Sequence, residues 1–262
     1  MQAGMAILVP QQRTVQYRFY DGTSVKDMTA TLAQEEPLTI FLNGRELVTL
    51  LCTPVLLDRL VVGFLYAEGI IGSVDEIVLL ALCPDSGTAE VWLEDEKKFP
   101  RRPPAVASGC SGGITYLDKS ALPRVDSNLL ISRAQVLRLM RELLSAARMH
   151  RNSGGVHTSA LAQGDSLIAV AEDVGRHNTV DKIIGESLIS GLATDQCLLL
   201  TTGRISSEML MKAARIKVPV VASLTSPTDR AVGLADRLGV TLVGYARGHR
   251  MRVYSHLRRI QD

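Results

Sequence analysis

The chain has 262 residues, 46% of them hydrophobic, and a formal charge of +2. That is ample for one large or two modest packed domains and too close to neutral to point to nucleic acid as a general partner. No apolar run approaches the roughly 18 residues of a membrane span, and residues 1–10 lack the basic segment of a secretion signal, so a cytoplasmic protein without a membrane or nucleic-acid partner is expected.

Residues 38–42 and 45–51 are apolar runs joined by Asn43-Gly44, the dipeptide that most readily takes the positive φ angles of a tight hairpin. A helix is expected next, with Thr53 as its cap, Pro54 in its first position, Leu56, Leu57, Leu60, Val61, Phe64 and Leu65 on its apolar stripe, and Gly69 past its end. A second strand pair is read at 77–82 and 89–93. Residues 99–113 are rich in Pro, Gly and small side chains and lack an apolar period, so a domain boundary falls near them. The division is residues 1–125 as an α+β domain and 126–262 as an α/β domain, an α/β protein overall.

The second domain opens with a helix over 132–149, Ser132 and Gln135 forming its capping box. Three strand–turn–helix units follow. In the first, the apolar run from Leu167 leads into Glu172-Asp173-Val174-Gly175-Arg176-His177-Asn178, with Asn178 read as the helix cap. In the second, Cys197 to Thr201 leads through Thr202-Gly203-Arg204 to a helix from Ser206; in the third, residues 218–224 lead to Ser226 as cap, Pro227 and Thr228, in a helix ended by Gly239. A last run, 240–244, opens into Tyr245-Ala246-Arg247-Gly248-His249-Arg250.

Successive strand–helix units favour a parallel sheet, whose ligands sit outside the carboxyl ends of the strands. Three helix N-termini would then converge on one crevice, where free N–H groups and helix dipoles attract phosphate. With Arg176, His177, Arg204, Arg247 and Arg250 as donors and Tyr245 as a stacking surface, that inventory suits a nucleotide.

Four cysteines are widely spaced without C-x-x-C, and the histidines form neither H-x-x-x-H nor H-x-E, so no metal site is expected. Cys52, Cys83 and Cys197 lie in or beside apolar runs and read as small buried hydrophobes. Cys110 differs: Ser108-Gly109-Cys110-Ser111-Gly112-Gly113 is a polar, Gly-rich setting for a travelling thiol, which Arg101 and Arg102 would activate if the loop folds back.

Glu36-Pro37-Leu38, Asn43-Gly44, Thr53-Pro54, Gly63-Phe64-Leu65, Glu68-Gly69, Ser108-Gly109-Cys110, Gly154-Gly155-Val156-His157, the 172–182 run, Gly203-Arg204 with Ser206 and Glu208, and Leu242-Val243-Gly244 with Arg247 and Tyr254 together resemble the FdhD family. These are formate dehydrogenase accessory sulfurtransferases. The resemblance implies that a cysteine desulfurase hands sulfur to Cys110, which carries it as a persulfide to the molybdenum bis-pyranopterin guanine dinucleotide cofactor of a formate dehydrogenase. It also implies a homodimer and a three-layer, cytidine-deaminase-like second domain without zinc. On this reading the guanine dinucleotide arms are bound by Gly155, His157, Asp173, Gly175, Arg176, His177, Asn178, Gly203, Arg204, Ser206, Ser226, Thr228 and the 245–250 segment (Tyr245, Ala246, Arg247, Gly248, His249, Arg250).

Family members often carry C-x-x-C at the mobile loop, whereas Gly113 holds the second position here, so an intramolecular disulfide cannot form there. Single-thiol persulfide chemistry still needs only one activated thiolate. The alternatives are a chaperone that binds and delivers the cofactor without moving sulfur, and a nucleotide-modifying enzyme of deaminase ancestry. His157 and His177 are assigned to binding rather than catalysis. Glu172, Asp173 and Asp181 are read as anchors for neighbouring groups or as contacts to guanine N–H donors.

Overall fold

The computed structural model describes residues 12–95, 99, 105–106, 114–115 and 122–262. Cys110 and Gly113, with Arg101 and Arg102, lie outside the described residues.

The chain begins with a two-stranded hairpin, β1 (Gln12–Asp21) and β2 (Ser24–Ala33). Next come β3 (Glu36–Leu42), β4 (Arg45–Cys52), α1 (Leu57–Ala67), β5 (Ile77–Cys83) and β6 (Thr88–Leu93). These strands form one sheet in the order β4-β3-β6-β5. The expected hairpin turn is present, with φ of 50° at Asn43 and 73° at Gly44. Alternation puts Leu38, Ile40, Leu42, Ala89 and Val91 on the inner face, where Leu60, Val61, Phe64 and Leu65 of α1 cover them. Each such large apolar side chain contributes about 1.5–3 kcal/mol by leaving water.

After two short strands, β7 (Ala105–Val106) and β8 (Ile114–Thr115), the chain forms β9 (Ile131–Ser132), α2 (Arg133–Ala146), α3 (Arg148–Ser153), β10 (His157–Gln163), β11 (Ser166–Asp173) and α4 (Arg176–Ile189). It continues through β12 (Cys197–Thr201), α5 (Ser207–Arg215), β13 (Val220–Ser223), α6 (Asp229–Leu238), β14 (Thr241–Arg247), β15 (Arg250–Val253) and β16 (Ile260–Gln261). Six strands make a sheet in the order β11-β10-β12-β13-β14-β15. Leu198, Leu200 and Val220 face α2, while Leu199, Val221 and Leu242 face α4, α5 and α6, so the sheet lies between helix layers.

The sheet is mixed rather than parallel. Strands β12, β13 and β14 run parallel, but β10 enters antiparallel between β11 and β12, and β15 is antiparallel to β14. Because β10 reverses direction, β11 still points the same way as β12, and the carboxyl ends of β11, β12, β13 and β14 share one edge.

Several local expectations are corrected. Thr53 does not cap α1, which starts at Leu57 after Leu56 at φ 51°, because the Thr53 hydroxyl and amide are taken by Val174 and Asp173. The helix expected over 132–149 breaks at Ala147, because the Glu172 carboxylate accepts from the Met149 and His150 amides and starts α3. Ser132 caps α2, yet the Gln135 side chain donates to the Gly164 carbonyl, so the capping box is half formed. Asn178 sits inside α4, whose cap position is Gly175, and α6 is capped by Thr228 rather than Ser226. Cys83, at the end of β5, is exposed, whereas Cys52 packs into the inner core of the same sheet and Cys197 is buried in the second.

The two sheets are joined by α1 lying on α4. A methyl on Gly63 would stand 1.8 Å from the Asp181 carbonyl oxygen, and one on Gly185 would stand 1.9 Å from that of Arg59. Only glycine lets the two backbones approach this closely.

Candidate functional site

The shared strand edge collects polar residues from both halves of the chain. His157 begins β10 directly opposite Asp173 at the end of β11, and Ser159 lies opposite Thr201 at the end of β12. Hydroxyls knit this edge together: Ser159 is 2.7 Å from Thr179 Oγ1 and donates to Thr201 Oγ1, which in turn accepts from the Gly203 amide. The Thr202 hydroxyl accepts from the Thr158 amide and lies 3.4 Å from His157 Nδ1.

Three helix N-termini meet here. His177 Nε2 in the first turn of α4 is 3.4 Å from Oγ of Ser206, the residue that caps α5. Ile205 bridges to Pro227, accepting from the Thr228 amide and donating to the Ser226 carbonyl, which binds the start of α5 to that of α6. Gly203 is closely packed: a methyl there would come within 3.0 Å of Arg176 Cβ and 3.4 Å of His157 Nδ1. Gly175, His157, Arg176, His177, Gly203 and Ser206 are thus brought together, Arg176 and His177 are largely buried, and Arg204 and Gly155 stand exposed at the rim. The positive ends of three helix dipoles face one edge, an arrangement that favours an anionic ligand.

The acidic residues of the turn act inward. Asp173 is wholly buried and accepts four hydrogen bonds: from Lys182 Nζ at 2.6 Å, the Thr53 amide at 3.1 Å, the Gly175 amide at 2.8 Å and Asn178 Nδ2 at 2.9 Å. Those bonds use the capacity of both oxygens, so Asp173 anchors the turn and is not available to a ligand. Asn178 likewise spends its Nδ2 on Asp173 and the Leu51 carbonyl. Lys182 also reaches the carbonyls of Thr53 and Glu172. Asp181 pairs with Lys212 at 2.6 Å, and Glu68 of α1's C-terminal end lies 3.7 Å from the same ammonium. Burial opposes the charge on Lys212, but Asp181 and Glu68 more than offset it, leaving its pKa raised.

Both histidines are held neutral. Burial, with Lys212 and Arg176 nearby, pushes His177 down to about 3, and burial with Arg176 and His150 lowers His157. Each is a neutral imidazole at neutral pH, with one ring N–H donor and one acceptor nitrogen, which fits a polar contact in a binding site rather than a charged one.

The 245–250 segment divides. Tyr245, at φ 53°, donates its amide to the Thr225 carbonyl beside the three helix starts, and its ring packs 4.4 Å from the Arg252 guanidinium. Ala246 is buried in the core under α2 and offers no ligand surface. Arg247, His249 and Arg250, with Gly248 in the turn between them, are exposed; the three line a cleft of about 390 Å³ with Arg133 from the first turn of α2. Tyr245 and Arg252 line the same cleft, so Tyr245 links the Arg247–Arg250 turn to the helix starts through its bond to Thr225. In the sequence Lys212 and Arg133 carry no visible role, Thr53 reads as a helix cap, and Lys182 and Arg252 figure only as part of a matching run and of a basic cluster. Among the described residues no three His, Cys, Asp or Glu side chains are grouped to hold a metal ion.

These features define a mixed α/β protein with a cation-lined sheet edge. The chain belongs to the FdhD/NarQ family, whose model it matches over residues 33–261. It is 37% identical over 251 residues to the sulfur carrier protein FdhD of Bacillus licheniformis, covering 92% of this chain and 94% of the relative. The sulfur carrier protein FdhD of Bacillus subtilis strain 168 is 34% identical over 251 residues, covering 93% and 95%. A solved structure from Desulfotalea psychrophila, described as a candidate formate dehydrogenase accessory protein, superposes with a TM-score of 0.81 at 30% identity, covering 96% of this chain and all of that one.

Proposed function

We propose that the protein is a sulfur carrier in formate dehydrogenase maturation. Near full-length similarity to curated sulfur carriers is the observation that carries this reading. In the finer version, a cysteine desulfurase presents a persulfide to the Cys110 thiolate. The S–S bond to the donor cysteine breaks, a Cys110–S–SH forms, and the donor leaves as a thiolate. The terminal, zero-valent sulfur then passes to the molybdenum bis-pyranopterin guanine dinucleotide, here the substrate in its reduced form, which supplies the two electrons that bring the sulfur to sulfide, and Cys110 leaves as a thiolate.

The converging starts of α4, α5 and α6, with Arg176 and Arg204, support binding of the substrate's diphosphates at the sheet edge. The helix–sheet–helix layering supports the cytidine-deaminase-like reading of residues 126–262, and the separate four-stranded sheet supports a distinct N-terminal domain. A homodimer serving a formate dehydrogenase completes the proposal. No helix is long and apolar enough to cross a membrane among the described residues.

The test is intact-protein mass spectrometry after incubation with a cysteine desulfurase and cysteine. One added sulfur is expected, and it should vanish in Cys110→Ala. Gly113 favours a second reading, a cofactor-binding chaperone, since it leaves one thiol in the loop. Formate dehydrogenase activity that survives Cys110→Ala but is lost with guanine nucleotide binding in Arg204→Ala would establish the chaperone instead.

A further inference from the structure

The β1–β2 hairpin is an arm that meets α3 through β2 and, among the described residues, leaves an apolar strip exposed on one side. Its register places Val15 opposite Ala30, Tyr17 opposite Met28, Phe19 opposite Lys26 and Arg13 opposite Leu32, all on one side. The other side is polar along most of its length, with Arg18 and Asp27 paired at 2.8 Å, and carries Tyr20 opposite Val25 only beside the turn. On the apolar side Tyr17, Phe19, Met28 and Leu32 remain 39%, 43%, 43% and 45% exposed. A two-stranded hairpin is marginal alone in water, and an exposed apolar patch of this kind marks an interaction surface.

A second uncovered apolar surface lies on the same chain. While α1 covers the inner face of the four-stranded sheet, the outer face presents Leu51, Leu79 and Trp92, each 40% exposed or more. Register puts Glu46 and Glu90 on that outer face, both opposite Phe41 from neighbouring strands. The arm's apolar face carries Arg13 and Lys26 beside its hydrophobic strip, with Asp21 at the turn. The two surfaces match in apolar character and are opposite in the dominant sign of charge.

We infer that the β1–β2 arm of one copy docks on the outer face of the four-stranded sheet of a second copy, reciprocally. The arm is not seated on its own sheet, since both surfaces are exposed within the single chain. Ten-residue strands about 33 Å long give each arm a face of roughly 300 Å². A two-fold axis uses two arms and two docks, on the order of 1,200 Å² in total, which reaches the range of stable interfaces. This specifies the surface of the homodimer proposed above and rests on it.

The experiment is light scattering coupled to size exclusion on the full chain, 28.4 kDa per copy. The parent protein should be dimeric. Tyr17→Glu with Phe19→Glu should raise the dissociation constant by about a hundredfold or more, whereas Thr14→Glu with Thr29→Glu, on the polar side, should leave it unchanged. Reversing Arg13 and Lys26 to Glu should weaken the dimer, and adding Glu46→Lys with Glu90→Lys should restore it. Circular dichroism confirms that each variant is folded, which exposed positions permit. A monomeric parent protein overturns the dimer and the arm together. A dimer indifferent to Tyr17→Glu with Phe19→Glu, or unrescued by the charge exchange, overturns arm docking alone.

Discussion

Asp173 and Lys182, both wholly shielded from solvent, form an ion pair at 2.6 Å that also fixes Thr53 from the N-terminal half against the sheet edge. The same carboxylate shapes the turn from which α4 starts. The edge that gathers the three helix starts is therefore built only when both halves of the chain are in place.

Removing the acid should cost more than removing the base. Asp173→Ala leaves a buried ammonium with only the Thr53 and Glu172 carbonyls as acceptors, a loss of about 3–5 kcal/mol. Lys182→Met leaves Asp173 three other donors, so its loss should be smaller. Urea unfolding of both variants checks the order, and equal losses would contradict it.

At the α1–α4 crossing, Gly63→Ala and Gly185→Ala should each destabilise by about 1–3 kcal/mol or more, since the new methyl meets a backbone carbonyl that cannot rotate away. Gly233→Ala, with open space at its Cβ on α6, is the control and should be neutral or better. Thermal melts distinguish the three.

Stability should rise with pH through the acid range because of His177. Its folded pKa, about 3, lies below the ordinary 6.5, so between those values the unfolded chain binds the extra proton. Its contribution is complete above pH 6.5 and is lost as pH falls toward 3. His177→Gln should flatten the dependence of unfolding free energy on pH by up to about 1.4 kcal/mol per pH unit in that window. Imidazole NMR signals of His177 should not titrate between pH 8 and 5.

Thiol reactivity should separate the described cysteines. Burial pushes the Cys52 thiol up to about 12 and the Cys197 thiol up to about 11, while Cys83 is exposed at the sheet edge. Brief alkylation at pH 8 followed by peptide mass spectrometry should modify Cys83 and spare Cys52 and Cys197. Rapid labelling of Cys52 would contradict the packing described. Cys83→Ala is therefore the proper background for assigning persulfide sulfur to Cys110.

Much of the local structure follows from sequence because it depends on near neighbours. Asn43-Gly44 specifies its turn through backbone sterics, Ser206 caps α5 with its own hydroxyl, and the continuous apolar runs at 197–201 and 218–224 mark strands buried on both faces. What near neighbours cannot determine is which group claims a polar side chain. Thr53 looks like a helix cap until Val174, 121 residues away, takes its hydroxyl, and Asn178 looks like another until Asp173 and Leu51 take its amide. The insertion of β10 between β11 and β12, and the meeting of the β14–β15 hairpin with Arg133 in one cleft, are likewise decided by tertiary packing. Sheet order and buried polar pairing are set by long-range burial of apolar faces and by the need to satisfy each desolvated donor and acceptor, and neither leaves a periodic mark in the chain.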